Sequence, residues 1–142
     1  MKVLNIKDIP SHIDERGEIQ MIIENCDIGS ISKIHSNPNS IRANHYHPID
    51  EHTILVIEGQ VEYYERERIY KENKLKYGNL NRIVLNKNDI YHTVRNFEHT
   101  MYFPCDTTFL CFSKLPRNQE NYEKETIRVP YDLRNLYNGW EV

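Results

Sequence analysis

Short runs of apolar residues recur along the chain, and each run is bounded by residues that favour turns. Alternation of apolar and polar positions is typical of a strand with one buried face. The run 53–58 is apolar on both sides, as expected of a strand that is covered on both faces. Helical periodicity is almost missing, apart from a short helix predicted after 117–120. Strands are predicted at 18–24, 28–35, 41–47, 53–58, 61–67, 82–85, 92–96, 100–103, 107–113 and 126–129.

Many short strands separated by turns predict an all-β fold, either a sandwich or a barrel. The ten tyrosines and the many isoleucines and valines favour the same class. A jelly-roll barrel is the natural candidate. With 142 residues the chain is long enough for one domain, predicted over 1–142, with a short C-terminal extension of different character from Leu115 onward.

Composition and charge exclude several functions. The net charge is −3, with both signs spread along the chain, so neither a nucleic acid nor an anionic membrane is an expected partner. No apolar run approaches the length of a membrane span, and the N-terminus lacks the apolar segment of a signal peptide. Cys26, Cys105 and Cys111 are odd in number and form no C-x-x-C pair, which predicts reduced thiols and a cytoplasmic protein.

Histidines supply the most specific chemical pattern. His45 and His47 are separated by one residue, so they lie on the same side of a strand. His52 follows on the same hairpin, and His92 comes after a further apolar run. Four imidazoles that converge inside a small barrel would bind a divalent transition metal such as Zn, Fe, Mn, Ni or Cu.

This arrangement resembles the two-motif signature of the cupin superfamily. The first motif, about 42–59, is H-x-H, three or four residues, a third ligand that is usually Glu, six residues and Gly. Four intervening residues place the third ligand at His52, whereas three place it at Glu51. The register set by Gly59 favours His52, because a one-residue slip turns a side chain to the other face. The second motif, about 85–96, ends in His92 and Asn96, with Lys87 and Asp89 where Pro and Gly are usual.

The resemblance implies a cupin double-stranded β-helix with a metal held by His45, His47, His52 and His92. A narrower likeness joins Asp14-Glu15-Arg16-Gly17 and Arg42-Ala43-Asn44-His45-Tyr46-His47 to the D-x-R-G and R-G-x-H runs of cupins that act on nucleotide-linked keto-sugars. Those cupins include 3,5-epimerases, 3,4-ketoisomerases and the cupin domains of UDP-sugar reductases. Ala43 stands where glycine is usual in that run.

The narrower resemblance implies an isomerase or epimerase in which the metal acts as a Lewis acid on a nucleotide-sugar substrate. Arg42 is the expected contact for a sugar or pyrophosphate, and its alternative role is an ion pair that fixes the strand. A general base is not identified. The chemically suitable groups are Tyr91, Tyr102, His99, His35 and Glu62.

Two other functions stay open at this stage. The same histidines suit an Fe(II) or Ni(II) dioxygenase, and a barrel without an acid–base group suits a non-catalytic small-molecule-binding cupin. A homodimer is expected, with 2–6 as a strand exchanged between subunits, because edge pairing covers an exposed ladder.

Overall fold

The inner faces of two antiparallel sheets pack against each other in the computed structural model, which describes residues 3–139. In that range the strands are β1 (Leu4–Asn5), β2 (Ser11–Asp14), β3 (Gly17–Gln20), β4 (Ser30–Ser36), β5 (Ser40–Tyr46), β6 (His52–Glu58), β7 (Gln60–Lys71), β8 (Lys74–Tyr77), β9 (Asn81–Asn86), β10 (Asp89–Thr93), β11 (Phe97–Phe103), β12 (Thr107–Ser113) and β13 (Ile127–Arg128). The helices are a 3-10 turn (Ile6–Asp8), α1 (Gln119–Glu125) and α2 (Leu133–Tyr137).

The first sheet has the strand order β1-β10-β6-β12-β4. The second has the order β13-β5-β11-β7, and both β8 and β9 pair with β7. A separate hairpin is formed by β2 and β3. The all-β class predicted from the sequence is confirmed, and most predicted strands fall within a few residues of their observed bounds.

Apolar side chains from both sheets fill one end of the barrel. In β12, Phe109 and Cys111 are buried on alternate positions, as period two requires. Phe109 stacks on Phe103 of the opposite sheet with ring centroids 5.7 Å apart. Burial of each such side chain contributes about 2 kcal/mol to folding. The full cluster is Ile54, Val56, Val61, Tyr63, Leu85, Tyr91, Met101, Phe103, Phe109 and Cys111.

The largest departure from the predicted strands lies between 89 and 99. β10 covers Asp89–Thr93 rather than 92–96, and β11 begins at Phe97 rather than at Thr100. The chain turns at Asn96, which has a φ of +64°, a left-handed conformation that asparagine tolerates. Its N–H donates to the His47 carbonyl at 2.8 Å. The earlier start of β11 places His99 inside a strand.

The C-terminal extension crosses the barrel and returns to it. Residues 114–126, called the strap below, contain α1 and lead into β13, which pairs with β5. Beyond it, α2 packs outside β7 and β11 through buried Leu133. The buried Glu98 carboxylate accepts hydrogen bonds from Arg66 at 2.9 Å, Arg68 at 2.6 Å and the Tyr131 hydroxyl at 2.7 Å. The Tyr131 hydrogen bond ties the extension to the sheet, and the two arginines connect β7 to β11.

At the N-terminal edge, Leu4 and Asn5 pair with Ile90 and Asp89 of the same chain. Lys2, the first residue of the segment predicted to exchange between subunits, lies outside the described residues, and the homodimer stays a prediction. Among residues 3–139, no helix has the length and apolarity needed to cross a membrane.

Candidate metal centre and ligand cavity

Four imidazoles meet inside the barrel beside the apolar core, where the His99 ring stacks on Tyr63 with centroids 5.9 Å apart. His45 lies near the end of β5, His47 directly follows that strand, His52 begins β6 and His99 lies in β11. All four are at least nine-tenths buried. His45, His47 and His52 were predicted to converge, and the structure brings them together.

A β-bulge in β5 directs His45 into the barrel. Arg42 pairs with Met101 and His45 pairs with His99, so two residues of β5, Ala43 and Asn44, lie opposite one residue of β11, Thr100. Without the extra residue, alternation would turn His45 outward. Ala43 and Asn44 have φ values of +73° and +60°, the left-handed region that glycine adopts without strain. The conformation explains why a glycine would suit the position of Ala43.

The four rings form one compact cluster. The centroid of His45 lies 4.6 Å from that of His47 and 4.7 Å from that of His99. The His52 centroid lies 5.1 Å from that of His99 and 5.7 Å from that of His47. One ring nitrogen from each of His45, His47 and His99 lies within 4.8 Å of the other two. These three residues are called the triad below.

Backbone carbonyls fix the tautomer of two rings. His47 Nδ1 lies 2.7 Å from the Glu125 carbonyl, and His99 Nδ1 lies 3.0 Å from the Phe97 carbonyl. A carbonyl only accepts, so Nδ1 carries the proton in both rings and Nε2 keeps its lone pair. Both Nε2 atoms are buried without a hydrogen-bond partner, as are His45 Nδ1 and His52 Nδ1. A metal-binding histidine typically donates its other ring nitrogen in this way.

Burial keeps the cluster neutral. Desolvation, reinforced by the neighbouring His47, lowers the pKa of His99 to about 3. Desolvation is also the largest cause of the lowered pKa values of His45, His47 and His52. Neutral imidazole is the form that binds metals, so the cluster has its ligand form at neutral pH.

His92 is not part of the cluster. In β10, Tyr91 and Thr93 are buried, so His92 between them points outward and 44% of its side chain is exposed. Its Nε2 lies 3.0 Å from Glu51 Oε1 and its Nδ1 lies 2.8 Å from Thr53 Oγ1. The predicted ligand His92 and the alternative ligand Glu51 therefore contact each other on the outer face, away from His52.

His99 takes the fourth place near the other three imidazoles. The sequence indicates His99 only as a candidate base, because the predicted strands 92–96 and 100–103 leave it between two elements. The alternation that places His99 inward runs over Phe97, His99, Met101 and Phe103. This alternation is recognised only if β11 is started at Phe97.

The other candidate bases lie elsewhere. Tyr91 is buried against Glu65, to which its hydroxyl donates, and burial is the largest cause of its raised pKa. Tyr102 donates to Asn39 at 2.8 Å. His35 and Glu62 engage other partners: His35 lies 3.4 Å from Asp106, and Glu62 pairs with Arg82 at 2.9 Å.

Arg42 reaches the rim of the site but has partners. Its Nε donates to Ser36 Oγ at 2.7 Å and its Nη2 donates to the His35 carbonyl at 2.9 Å. Both bonds tie β5 to β4. The contact predicted between Arg42 and a substrate stays a prediction.

A cavity of about 250 Å³ opens beside the imidazoles. Its walls combine apolar core residues with three histidines and two arginines, and no carboxylate lines it among the described residues. The lining residues are Ile34, Arg42, Ala43, His45, His52, Ile54, His99, Met101, Phe109, Cys111, Arg117 and Tyr122.

This fold is the double-stranded β-helix of the cupins, as expected. Among solved structures, WlaRA, a TDP-fucose-3,4-ketoisomerase from Campylobacter jejuni, matches with a TM-score of 0.68 and 18% identity, over 97% of this chain and 96% of that chain. A 3,4-ketoisomerase from Helicobacter canadensis matches with a TM-score of 0.66 and 21% identity, over 96% of each chain. At these identities the likeness concerns the fold.

The capsular polysaccharide assembling protein CapF from Staphylococcus aureus also matches, with a TM-score of 0.60 and 16% identity over 87% of this chain. The match covers 33% of CapF, so the present chain spans about a third of that protein's length. Neither a family model nor a curated protein sequence matches the chain.

Proposed function

We propose that this chain binds a divalent transition metal with its imidazole cluster and isomerises a nucleotide-linked keto-sugar. One observation carries the metal proposal: four buried imidazoles each keep a ring nitrogen without a partner at one end of the barrel. A buried polar atom left without a partner costs about 1–3 kcal/mol, so four in one cluster need a compensating ligand.

The residues present fit a metal. The triad supplies three nitrogen donors within 4.8 Å of one another. Three histidines with an open position are typical of catalytic metal sites. Two of the donors are held by carbonyls that orient the lone pair inward. When bound, the metal would act as a Lewis acid on a carbonyl oxygen of the substrate.

The likeness in fold to sugar-nucleotide 3,4-ketoisomerases supports the substrate class. Isomerisation beside a carbonyl requires a group that removes the α-proton. Among the described residues that line the cavity, the imidazoles are the groups whose ordinary pKa lies nearest neutrality, and burial keeps them in the neutral form that can accept a proton. If the triad holds the metal, His52 is the remaining imidazole in the cavity lining, and it is the proton acceptor of the proposal.

The apolar walls serve the same chemistry. Ile54, Met101 and Phe109 exclude water from one side of the cavity. Exclusion of water strengthens electrostatic interactions with a developing enolate.

A non-catalytic binding protein is the second candidate. It is favoured by the absence of a carboxylate from the cavity lining among the described residues. Such a protein would bind a keto-sugar nucleotide without exchanging its protons.

Metal analysis tests the first part of the proposal. Protein purified without added metal is compared with His99→Ala and His92→Ala. We expect His99→Ala to lose at least tenfold in metal affinity, whereas His92→Ala, whose side chain points outward, keeps the wild-type stoichiometry. Equal metal content in His99→Ala and wild type would exclude the triad.

Proton exchange tests the second part. Metal-loaded protein is incubated with a TDP-linked 4-keto-sugar in D₂O, and deuterium incorporation is followed by NMR. We expect incorporation by wild type and its loss in His52→Asn with metal retained. Loss of metal in His52→Asn would make His52 a fourth ligand, and tight binding without incorporation by wild type would favour the non-catalytic candidate.

A further inference from the structure

A second group of polar side chains lies on the outer face of the first sheet, across β6 from the imidazole cluster. Glu51 and Thr53 flank His52 in the sequence, so they point outward where His52 points into the barrel. His92 of β10 is the direct cross-strand partner of Thr53. Glu51, Thr53 and His92 are called the outer trio below.

Hydrogen bonds arrange the outer trio in a fixed order. Glu51 Oε1 lies 3.0 Å from His92 Nε2, and a carboxylate only accepts, so Nε2 carries the ring proton. Nδ1 of the same ring therefore keeps its lone pair, and it lies 2.8 Å from Thr53 Oγ1. The Thr53 hydroxyl donates to this lone pair. A hydroxyl bonded to a base that is itself oriented by a third group is the arrangement of an activated nucleophile.

Two cavities on the outer face meet at this hydroxyl. Thr53, His92 and Cys26 line both of them. The larger, of about 480 Å³, has a mostly apolar wall that includes Leu4, Met21, Ile22 and Ile90. The smaller, of about 230 Å³, has a mostly polar wall that includes Asn25, Asp27, Glu51 and Lys114. The pair of cavities fits a molecule that joins an apolar chain to a polar group, with the junction at Thr53.

We propose that Thr53 is a nucleophile that takes an acyl group from a carboxylic ester, with His92 as general base and Glu51 orienting the imidazole. Thr53 Oγ1 forms a bond to the acyl carbon, and its proton passes to His92 Nδ1. The ester C–O bond then breaks, and the alcohol leaves with that proton. Lys114, in the wall of the smaller cavity, supplies a positive charge for the oxyanion that develops.

Water completes the reaction. It attacks the acyl carbon on Thr53 and gives a proton to His92, which passes it to Oγ1 as the acyl–threonine bond breaks. The products are a carboxylic acid and the free hydroxyl. These steps use neither the imidazole cluster nor the cavity inside the barrel, so they are independent of the proposed function.

The test uses the full chain in chelator, with p-nitrophenyl octanoate and p-nitrophenyl acetate as probes. Release of nitrophenolate is followed by absorbance, and the acylated residue is located by mass spectrometry after digestion. We expect the acyl group on Thr53. The second-order rate constant should be about tenfold or more higher for the octanoate, because its chain is buried in the apolar cavity.

Matched variants assign the roles. Thr53→Val keeps the shape of the side chain and should abolish acylation at this position, whereas Thr53→Ser should retain it. His92→Gln should lower the rate by about a hundredfold or more, the scale of a lost general base. His12→Gln removes an exposed imidazole elsewhere and should leave the rate unchanged. Thermal unfolding shows whether each variant is folded, and Thr53→Ser carries the comparison with His92→Gln if Thr53→Val unfolds.

Cys26 is the competing nucleophile, because its exposed thiol lines both cavities. Acylation of Cys26 in place of Thr53, or an unchanged rate in Thr53→Val, would overturn the proposal. Equal rates in His92→Gln and His12→Gln would do the same, since they would reduce the reaction to unspecific hydrolysis by surface imidazoles. Wild-type protein that is not acylated on Thr53 and does not turn over either ester would also exclude it.

Discussion

Acidification should unfold the metal-free protein at a pH that most small domains tolerate. His45, His52 and His99 are buried and neutral, and desolvation is the main cause of their strongly lowered pKa values. In the unfolded chain each imidazole returns to a pKa of 6.5. Below pH 6.5 these imidazoles bind protons in the unfolded state but stay neutral in the folded state. The free energy of unfolding therefore falls as the pH falls.

The magnitude follows from the unfolded pKa. Between pH 7 and pH 5, each of these three imidazoles stabilises the unfolded state by about 2 kcal/mol, or about 6 kcal/mol together. The lowered pKa of His47 acts in the same direction. The raised pKa of buried Glu65 acts in the opposite direction. As the pH falls towards 4.5, the folded state binds this proton before the unfolded state does, which raises the free energy of unfolding. A loss of about 6 kcal/mol is comparable to the whole stability of a small domain.

Urea unfolding in chelator, followed by circular dichroism at several pH values from 7 to 5, measures this loss. His52→Gln should reduce the slope of stability against pH by about one proton, or about 1.4 kcal/mol per pH unit. The control His12→Gln removes an exposed imidazole and should leave the slope unchanged. A fall of less than about 2 kcal/mol in wild type, or equal slopes in wild type and His52→Gln, would refute the reasoning.

Three further predictions concern the scaffold of the site. Ala43→Gly should raise stability by about 1 kcal/mol, seen as a rise of about 3 °C in Tm, because it relieves the left-handed conformation at φ +73°; a lower Tm would contradict this. Gly59→Ala should cost about 2–3 kcal/mol in urea unfolding, since φ is +99° and a Cβ would clash with the Asp106 carbonyl; an unchanged midpoint would exclude the strain. Glu98→Gln should cost about 3–5 kcal/mol by leaving two guanidiniums without their buried carboxylate, and calorimetry showing less than 1 kcal/mol would argue against that network.

The barrel could be predicted because its signals are local. Period-two alternation and turn residues can be recognised from neighbouring positions in the sequence, and strands such as Thr107–Ser113 match their predicted bounds. The pair His45 and His47 follows from the same period. His52 was favoured over Glu51 through the turn at Gly59, and the structure places His52 inward and Glu51 outside.

The remainder of the site depends on backbone features that alternation does not reveal. Asn96 turns the chain earlier than predicted, which moves His99 inward and leaves His92 outside. The bulge at Ala43 and Asn44 changes the register within β5. Arg117 escaped notice because nothing in the polar tail indicates that it folds back over the barrel.

The strap also limits how far the protein can be truncated from its C-terminal side. The Glu125 carbonyl orients His47, and the Glu125 carboxylate accepts from the N–H groups of Ile49 at 2.9 Å and Asp50 at 3.1 Å. A truncation after Ser113 would retain every long barrel strand. It would remove one wall of the cavity and the Glu125 carbonyl that orients the His47 ring. Fragments designed for crystallisation or fusion therefore need to include the whole strap, although the long strands of the barrel end well before it.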